Sequence, residues 1–204
     1  MSSNIETAGA RAPKRARGKQ RVADLLQAAA AVFAEKGYAA ATMTEIAARA
    51  GAPIGSLYQF FPVKDALADT LVQNYVALLA ADLQLLESHA ARLDIRTLVE
   101  ELFGLLRARA RERAAALPLV ESRMDVRTRR ATFRPMLRKR IAAILRARAP
   151  ALPAEAARDL AVVVLQLMKA ASALSDEEAL PGRAAAQREL QALTVQYLKH
   201  HLPA

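Results

Sequence analysis

The sequence predicts an all-α protein of about nine helices. Hydrophobic residues fill 53% of its 204 positions, but only 4% are aromatic, glycine occurs only 7 times, and Ala, Leu and Arg dominate. Those three residue types favour helices, and the apolar residues recur at three- and four-residue intervals, which is the pattern of amphipathic helices. A chain of this length can form one or two domains with buried cores.

The first predicted helix ends at Gly37. Its apolar stripe consists of Val22, Leu25, Leu26, Ala29, Val32 and Phe33. Lys36 places a cation at the negative end of the helix, and Gly37 can adopt the left-handed conformation that ends helices.

Two short helices and a tight turn are predicted next. Thr42 and Glu45 have the spacing of a capping box, in which each side chain bonds the other residue's backbone N–H. Gly51 supplies the left-handed turn, and Pro53 suits the first position of the second helix. That helix has an apolar face of Leu57, Phe60 and Phe61. This plan is a helix-turn-helix, whose second helix enters the major groove of DNA.

Residues 20–70 resemble the tetracycline-repressor (TetR) family of bacterial regulators. The segments AAAAVFAEKGY, ATMTEIAARAG, GSLYQFFPVK and DAL carry the resemblance in the correct spacing. The resemblance implies phosphate contacts from Thr42, Tyr58 and Lys64. It also implies that Ile54, Gly55, Ser56 and Gln59 meet or approach base edges. Thr44 and Pro53 complete the candidate DNA-binding residues.

Four positions depart from the pattern of that family. Pro53 stands where Ser is common, Ile54 where Lys is frequent, Phe60 where Tyr is frequent, and Val63 where Ser or Asn caps the next helix. The usual contacts are therefore not carried over unchanged. Ile54 could touch a thymine methyl group, and Gln59 could bond adenine with both ends of its amide.

The net charge of +10 is unevenly placed. Residues 1–21 contain six cations and one carboxylate, whereas residues 22–70 contain three cations and five carboxylates. We interpret residues 1–19 as a disordered basic tail that contacts phosphates or the minor groove. Deleting this tail should therefore weaken DNA binding and reduce the dependence of that binding on salt. A solubilising tail is the alternative. A second basic concentration, at 107–148, is interpreted as a solvated face, with an anionic-ligand vestibule or a second nucleic-acid surface as alternatives.

The remainder of the chain predicts further helices. They span 64–88, from Asp94 to about 116, 126–149, 154–174 and 183–202, with a short element starting at Pro118. The expected domains are the tail (1–19), a DNA-binding domain (20–80, helix-turn-helix 43–62) and a C-terminal effector-binding and dimerisation domain (81–204).

The segment LAVVVLQLM at 160–168 is apolar nearly all round, so its helix must be buried on several sides. Pairing of the last two helices with those of a second copy would form a four-helix interface about a two-fold axis, as the resemblance also implies. The candidate interface residues are Leu160, Val164, Leu167, Leu190, Leu193 and Tyr197. Burial inside a monomer is the alternative.

Several functional classes find no support in the sequence. The chain has no Cys, and its three His lack metal-ligand spacing, so we expect no metal site, cofactor, catalytic residue or enzymatic activity. The N-terminus lacks the apolar stretch of a signal peptide, and no apolar run reaches the ~18–20 residues that span a bilayer. We therefore expect a soluble, cytoplasmic protein without a membrane partner.

The function that we expect is a repressor released from a palindromic DNA operator by a small-molecule effector. The candidate effector-binding residues are Phe103, Leu106, Met124, Phe133, Met136, Gln166 and Met168, for each of which plain core packing is the alternative. A DNA-binding regulator without an effector, an activator, and a small-molecule carrier with a vestigial helix-turn-helix are the competing interpretations.

Overall fold

The computed structural model describes residues 16–123, 126–177 and 179–203, which form nine α-helices and no strand. The helices are α1 (Ala16–Ala40), α2 (Met43–Arg49), α3 (Ile54–Phe60), α4 (Lys64–His89), α5 (Ile95–Ala108), α6 (Ala110–Arg123), α7 (Val126–Arg148), α8 (Ala154–Asp176) and α9 (Arg183–His201), with a 3₁₀ turn at Ala90–Arg92. The predicted all-α class is confirmed. Met124 and the side chain of Phe133 lie outside the described part of the chain, as does the tail up to residue 15.

Helix α1 starts earlier than predicted. Residues 16–19, assigned to the tail, are helical, and the Gln20 amide donates to Asp24 at 2.8 Å one turn later. Ala, Arg and Lys favour helices, so the basic segment prolongs α1 instead of preceding it. Near its other end, Gly37 leaves the helical conformation with φ 75° and ψ 163°, as the sequence predicts.

The described residues divide into two compact units. The first comprises those within 1–75 and 111–126, and the second those within 76–110 and 127–204. In the first unit, α1, α2, α3 and the start of α4 share a buried core that includes Phe33, Ile46, Leu57 and Phe61, and Leu119 of α6 joins it. The domain boundary predicted at residue 80 places α6 in the C-terminal domain, whereas Leu119 of α6 packs into the core of the first unit.

The helix predicted from Asp94 to about residue 116 is two helices. Asp94 does cap α5, because its carboxylate accepts from the Thr97 N–H at 2.9 Å. However, α5 ends at Ala108, and α6 begins at Ala110. The prediction that Pro118 starts an element is wrong, since Pro118 lies inside α6.

In the second unit, α8 and α9 pack together and both contact α5. Its core includes Leu98, Leu102, Ile141, Leu145, Ala161 and Leu198. On α4, the apolar spacing predicts a stripe of Leu67, Leu71, Tyr75 and Leu78. This is wrong beyond Tyr75: Leu78 is 37% exposed, whereas Leu79, Leu83 and Leu86 are buried.

The apolar segment 160–168 is only partly enclosed. Leu160 and Val164, two of the predicted interface residues, are buried within the single chain, because they face the core of their own unit. Val162 and Val163 are exposed by 38% and 37%, and Leu193 on α9 by 57%. Leu167, Leu190 and Tyr197 are half-buried.

Candidate DNA-binding surface

Helix α2 begins with the predicted capping box. The Glu45 N–H donates to the Thr42 hydroxyl at 3.2 Å, and the Thr42 N–H donates to a Glu45 carboxylate oxygen at 3.1 Å. The Thr42 hydroxyl also donates to Glu45 at 2.9 Å. These bonds satisfy backbone donors that a helix start leaves open and fix where α2 begins.

The turn between α2 and α3 depends on Gly51, whose φ of 58° is left-handed. Pro53 is the N-cap of α3, with φ −58° and ψ 138°, and not its first helical residue as predicted. Proline has no side-chain oxygen, so α3 starts without a side-chain cap hydrogen bond.

Helix α3 buries one face and exposes the other. Leu57 and the following Phe61 are buried in the core, whereas Ile54 is 41% and Tyr58 49% exposed. Gly55 and Gln59 are exposed as well, and Ser56 is half-buried. The structure thus places the predicted base-contacting residues on or beside the outer face of one short helix.

Three polar side chains are available for DNA. Thr44, Tyr58 and Gln59 are exposed and make no hydrogen bond to any described residue. A hydroxyl or amide in this state can bond a phosphate or a base edge without first breaking an internal contact.

The three cations of residues 22–70 are instead engaged within the protein. Lys36 pairs with Glu45 at 2.5 Å, and Arg49 with Glu35 at 2.5 Å. The hydrogen bond from the Lys36 ammonium, together with those from the Thr42 hydroxyl and N–H, lowers the pKa of Glu45 to about 2. The Arg49 guanidinium lowers the pKa of Glu35.

Lys64, predicted to contact a phosphate, is also engaged. Its ammonium donates to the main-chain oxygens of Tyr38 at 2.7 Å, Ala39 at 3.1 Å and Ala41 at 2.8 Å. Three bonds use all the donors of an ammonium group, so a phosphate contact requires one of them to be exchanged. The Tyr38 hydroxyl donates to Asp65 at 2.6 Å, which further ties the end of α1 to the start of α4. These contacts are not predicted from the sequence, because their partners lie more than twenty positions apart.

Three basic residues at the start of α1 differ from those cations. Arg17 and Lys19 are exposed and Arg21 is half-buried, and none of them forms an ion pair or hydrogen bond with the described residues. The uncompensated positive charge of the first unit's first helix therefore lies at its N-terminal end.

The candidate effector residues are spread over different environments. Phe103 and Met168 are buried, Leu106 and Met136 are half-buried, and Gln166 is exposed. Among the described residues, no group of His, Cys, Asp or Glu could hold a metal ion. In the described part of the chain, every helix is too short or too polar to span a bilayer.

Comparison with known proteins agrees with this geometry. Residues 25–71 match the family of bacterial regulatory proteins called the tetR family. A 53-residue segment is 43% identical to the HTH-type transcriptional repressor KstR2 of Mycobacterium tuberculosis, a match that spans only 26% of each protein.

Two solved structures share the fold along most of the chain. The multidrug binding protein EbrR, in complex with imidazole, has a TM-score of 0.60 at 19% identity and covers 90% of this chain and 96% of its own. SmeT, the repressor of the Stenotrophomonas maltophilia multidrug efflux pump SmeDEF, has a TM-score of 0.60 at 23% identity, covering 86% and 89%. SmeT is also solved as a complex with triclosan. The family match covers the helix-turn-helix, and the two solved structures share the fold over most of the chain, so residues 25–71 are identified as a helix-turn-helix of the tetR family.

Proposed function

We propose that this protein is a cytoplasmic repressor that binds a palindromic DNA operator as a homodimer and is released by a small-molecule effector. The observation that carries the proposal is the outer face of α3, where Tyr58 and Gln59 are exposed without internal hydrogen bonds on a helix-turn-helix. The relatives KstR2 and SmeT, which are repressors, favour repression over activation.

The DNA contacts divide by chemistry. Ile54, Gly55, Ser56 and Gln59 meet or approach base edges, with Ile54 against a thymine methyl and Gln59 bonding a base. Tyr58 and Thr44 donate to phosphates, and Pro53 packs beside the DNA backbone. Thr42 and Lys64 reach phosphates only by exchanging the internal bonds described above, so their part is smaller than the resemblance implies.

The N-terminal basic segment supplies the electrostatic attraction. Since Lys36, Arg49 and Lys64 are engaged within the protein, Arg17, Lys19 and Arg21 of α1, with the cations of residues 1–15, are left to neutralise phosphates. Each neutralised phosphate releases counterions and steepens the salt dependence of binding.

The dimer forms through α8 and α9. The exposed apolar residues Val163 and Leu193 lie on these helices, together with half-buried Leu167, Leu190 and Tyr197. A two-fold axis presents two copies of α3 to half-sites about 34 Å apart, which is one turn of DNA.

The effector binds in the second unit, which contains Gln166 and the other described candidates predicted from the sequence. The complexes of EbrR with imidazole and SmeT with triclosan support small-molecule binding by this fold. An effector can release DNA only if it binds more tightly to the conformation whose α3 helices are wrongly spaced for the operator.

The test is a fluorescence-anisotropy titration against DNA from upstream of the protein's own gene, with unrelated DNA as competitor. We expect binding at ~150 mM salt to be at least ~10³-fold tighter than to the competitor. Gln59→Ala should weaken binding and relax preference at one base pair per half-site, whereas Tyr58→Phe should weaken binding to all sequences. Gln84→Ala, at an exposed position of α4, is the matched control.

Equal, salt-sensitive binding to both DNAs, followed by a random-sequence selection that enriches no site, would overturn the proposal. A reporter gene behind the selected site separates repression from activation by the direction of the change.

A further inference from the structure

A cavity in the second unit combines positive charge with apolar walls. It has a volume of about 200 Å³ and lies between α7 and α8. Its lining consists of Arg134, Arg138, Val162, Leu165, Gln166 and Lys169. Three of the six are cations, and none is a carboxylate.

The positive charges of the cavity have no counter-ion in the described part of the chain. Arg138 donates to the main-chain oxygen of Arg134 at 3.4 Å, and Lys169 to the Gln166 side-chain oxygen at 3.3 Å. Elsewhere in the unit, the arginines at 109 and 140 pair with Asp82 and Glu87. The cavity cations thus differ from the arginines that stabilise the fold.

The cations also repel one another. Arg134 and Arg138 are one helical turn apart on α7, where like charges destabilise a helix. Burial lowers the pKa of Lys169, and the positive charge of Arg134 lowers it further. A bound anion would relieve both repulsions at once. A merely solvated basic face needs neither a concave wall nor the apolar contacts of Val162 and Leu165.

We propose that this cavity binds a small organic anion, whose acidic group is held by Arg134, Arg138 and Lys169 and whose apolar body lies against Val162 and Leu165. Arginine binds carboxylate and phosphate through two parallel hydrogen bonds, so either group satisfies the site. The volume is below the ~300–1,000 Å³ of typical drug-sized sites, which favours a short ligand. The anion is the effector itself, a statement that rests on the proposed function; of the effector residues predicted from the sequence, only Gln166 lines this cavity.

The test is isothermal titration calorimetry on the full chain at constant ionic strength. The probes are hexanoate, its neutral counterpart hexanamide, and inorganic phosphate. We expect hexanoate or phosphate to bind with millimolar or better affinity and hexanamide not to bind; the tighter of the two anions identifies the acidic group. Arg134→Gln and Arg138→Gln should each weaken binding about tenfold or more, because each removes a charge-assisted hydrogen bond.

Arg146→Gln is the matched control, since Arg146 is an exposed arginine of the same helix and does not line the cavity. Arg138→Lys keeps the charge and should lose less affinity than Arg138→Gln. Thermal unfolding of each variant verifies that it folds. Absence of anion binding to the unaltered chain, or binding that Arg134→Gln and Arg138→Gln leave intact, would overturn the proposal. Weakened dimerisation in these variants without anion binding would assign the cations to a subunit contact and also overturn it.

A second arm adds the bound anion to the protein–operator complex. Release of DNA supports the effector role. Retention of DNA with intact anion binding refutes that role and leaves the anion site standing. Failure to bind any operator refutes the proposed function alone, because the calorimetry contains no DNA.

Discussion

At the scale of single residues, the helix-turn-helix engages its three cations in internal contacts and leaves Tyr58 and Gln59 without internal hydrogen bonds. Glu45 both caps α2 and accepts from Lys36, while Lys64 caps the end of α1 through three carbonyl oxygens. The sequence could predict the capping box because both partners lie within one turn. It could not predict the Lys64 contacts, because their partners are more than twenty positions away.

A substitution at Gly55 tests whether α3 approaches DNA closely. A Cβ atom at this position would have no neighbour within 4 Å, so Gly55→Ala meets no obstacle inside the protein. Alanine favours a helix over glycine by about 1 kcal/mol, so we expect an equal or higher melting temperature. We also expect weaker operator binding, because the added methyl group lies between α3 and the groove. Circular dichroism and anisotropy measure the two effects.

Gly104→Ala is the control for Gly55→Ala. Gly104 lies within α5, and its Cβ would make only ordinary contact, 3.8 Å from Arg107. This variant should gain similar stability and bind operator normally. Normal DNA binding by Gly55→Ala would show that α3 does not need a close approach at this position.

The ionisation of Glu45 should make the stability of the folded protein depend on pH. Because the folded protein lowers the pKa of this carboxylate from 4.5 to about 2, its ionised form stabilises the fold above pH 4.5. That contribution is lost as the pH falls through the interval from 4.5 to about 2. Urea unfolding of the unaltered chain and Glu45→Gln should therefore differ most above pH 5 and converge near pH 2. Gln84→Ala, which changes an exposed non-titrating position on α4, should differ from the unaltered chain by the same amount at every pH.

At the scale of elements, the helix boundaries that a nearby residue marks were predicted closely. The boundaries without such a local signal were not. The start of α2 and the turn between α2 and α3 follow from Thr42 and Gly51, which act on their own neighbours. The break between α5 and α6 has no Gly or Pro; it is marked by Arg109, whose φ of −105° and ψ of 20° end α5. Pro118 looked like a helix start, yet it is accommodated inside α6.

Arg109 connects that break to α4. Its guanidinium donates two hydrogen bonds to Asp82, at 2.6 and 2.8 Å, and the two side chains are only 26% and 20% exposed. Removing one partner leaves a partly buried charge unpaired, so Arg109→Gln should lower the free energy of unfolding by about 1–3 kcal/mol. Arg107→Gln, at an exposed neighbouring position, should stay within about 0.5 kcal/mol of the unaltered chain in urea unfolding. Equal stability of the two variants would mean that Asp82 is satisfied without Arg109.

At the scale of the whole molecule, the sequence showed which helices are apolar but not which apolar residues stay exposed. Leu160 and Val164 share a helix with Val162 and Val163, yet the first pair is buried and the second exposed. In the nearly uniform run LAVVVLQLM, the exposed Gln166 is the one polar residue that marks the outer face, which is too little to place both Val162 and Val163 on it. Burial there depends on the tertiary packing of α5, α8 and α9, which composition and periodicity leave open.

The N-terminal basic segment should set the salt dependence of DNA binding. Deleting residues 1–15 removes Arg11, Lys14 and Arg15 and preserves α1, which begins at Ala16. If all three contact phosphates, the slope of log affinity against log salt should flatten by up to about 3, at roughly 0.9 per contact. Replacing the three residues by glutamine in the full-length chain should have the same effect, which excludes a role for tail length. An unchanged slope would mean that the tail does not contact DNA.

Leu193 tests the link between assembly and operator binding. Its side chain is 57% exposed on α9, where the proposed subunit interface covers it. Leu193→Glu should place an unpaired charge in that interface and convert the dimer to a monomer in light scattering after gel filtration. It should also weaken operator binding about tenfold or more, because one α3 helix then contacts only one half-site. Leu85→Glu is the control, since Leu85 is 66% exposed on α4, outside α8 and α9. A Leu193→Glu dimer with normal operator affinity would place the subunit interface elsewhere, because a buried glutamate at the centre of an apolar contact cannot be tolerated without a partner.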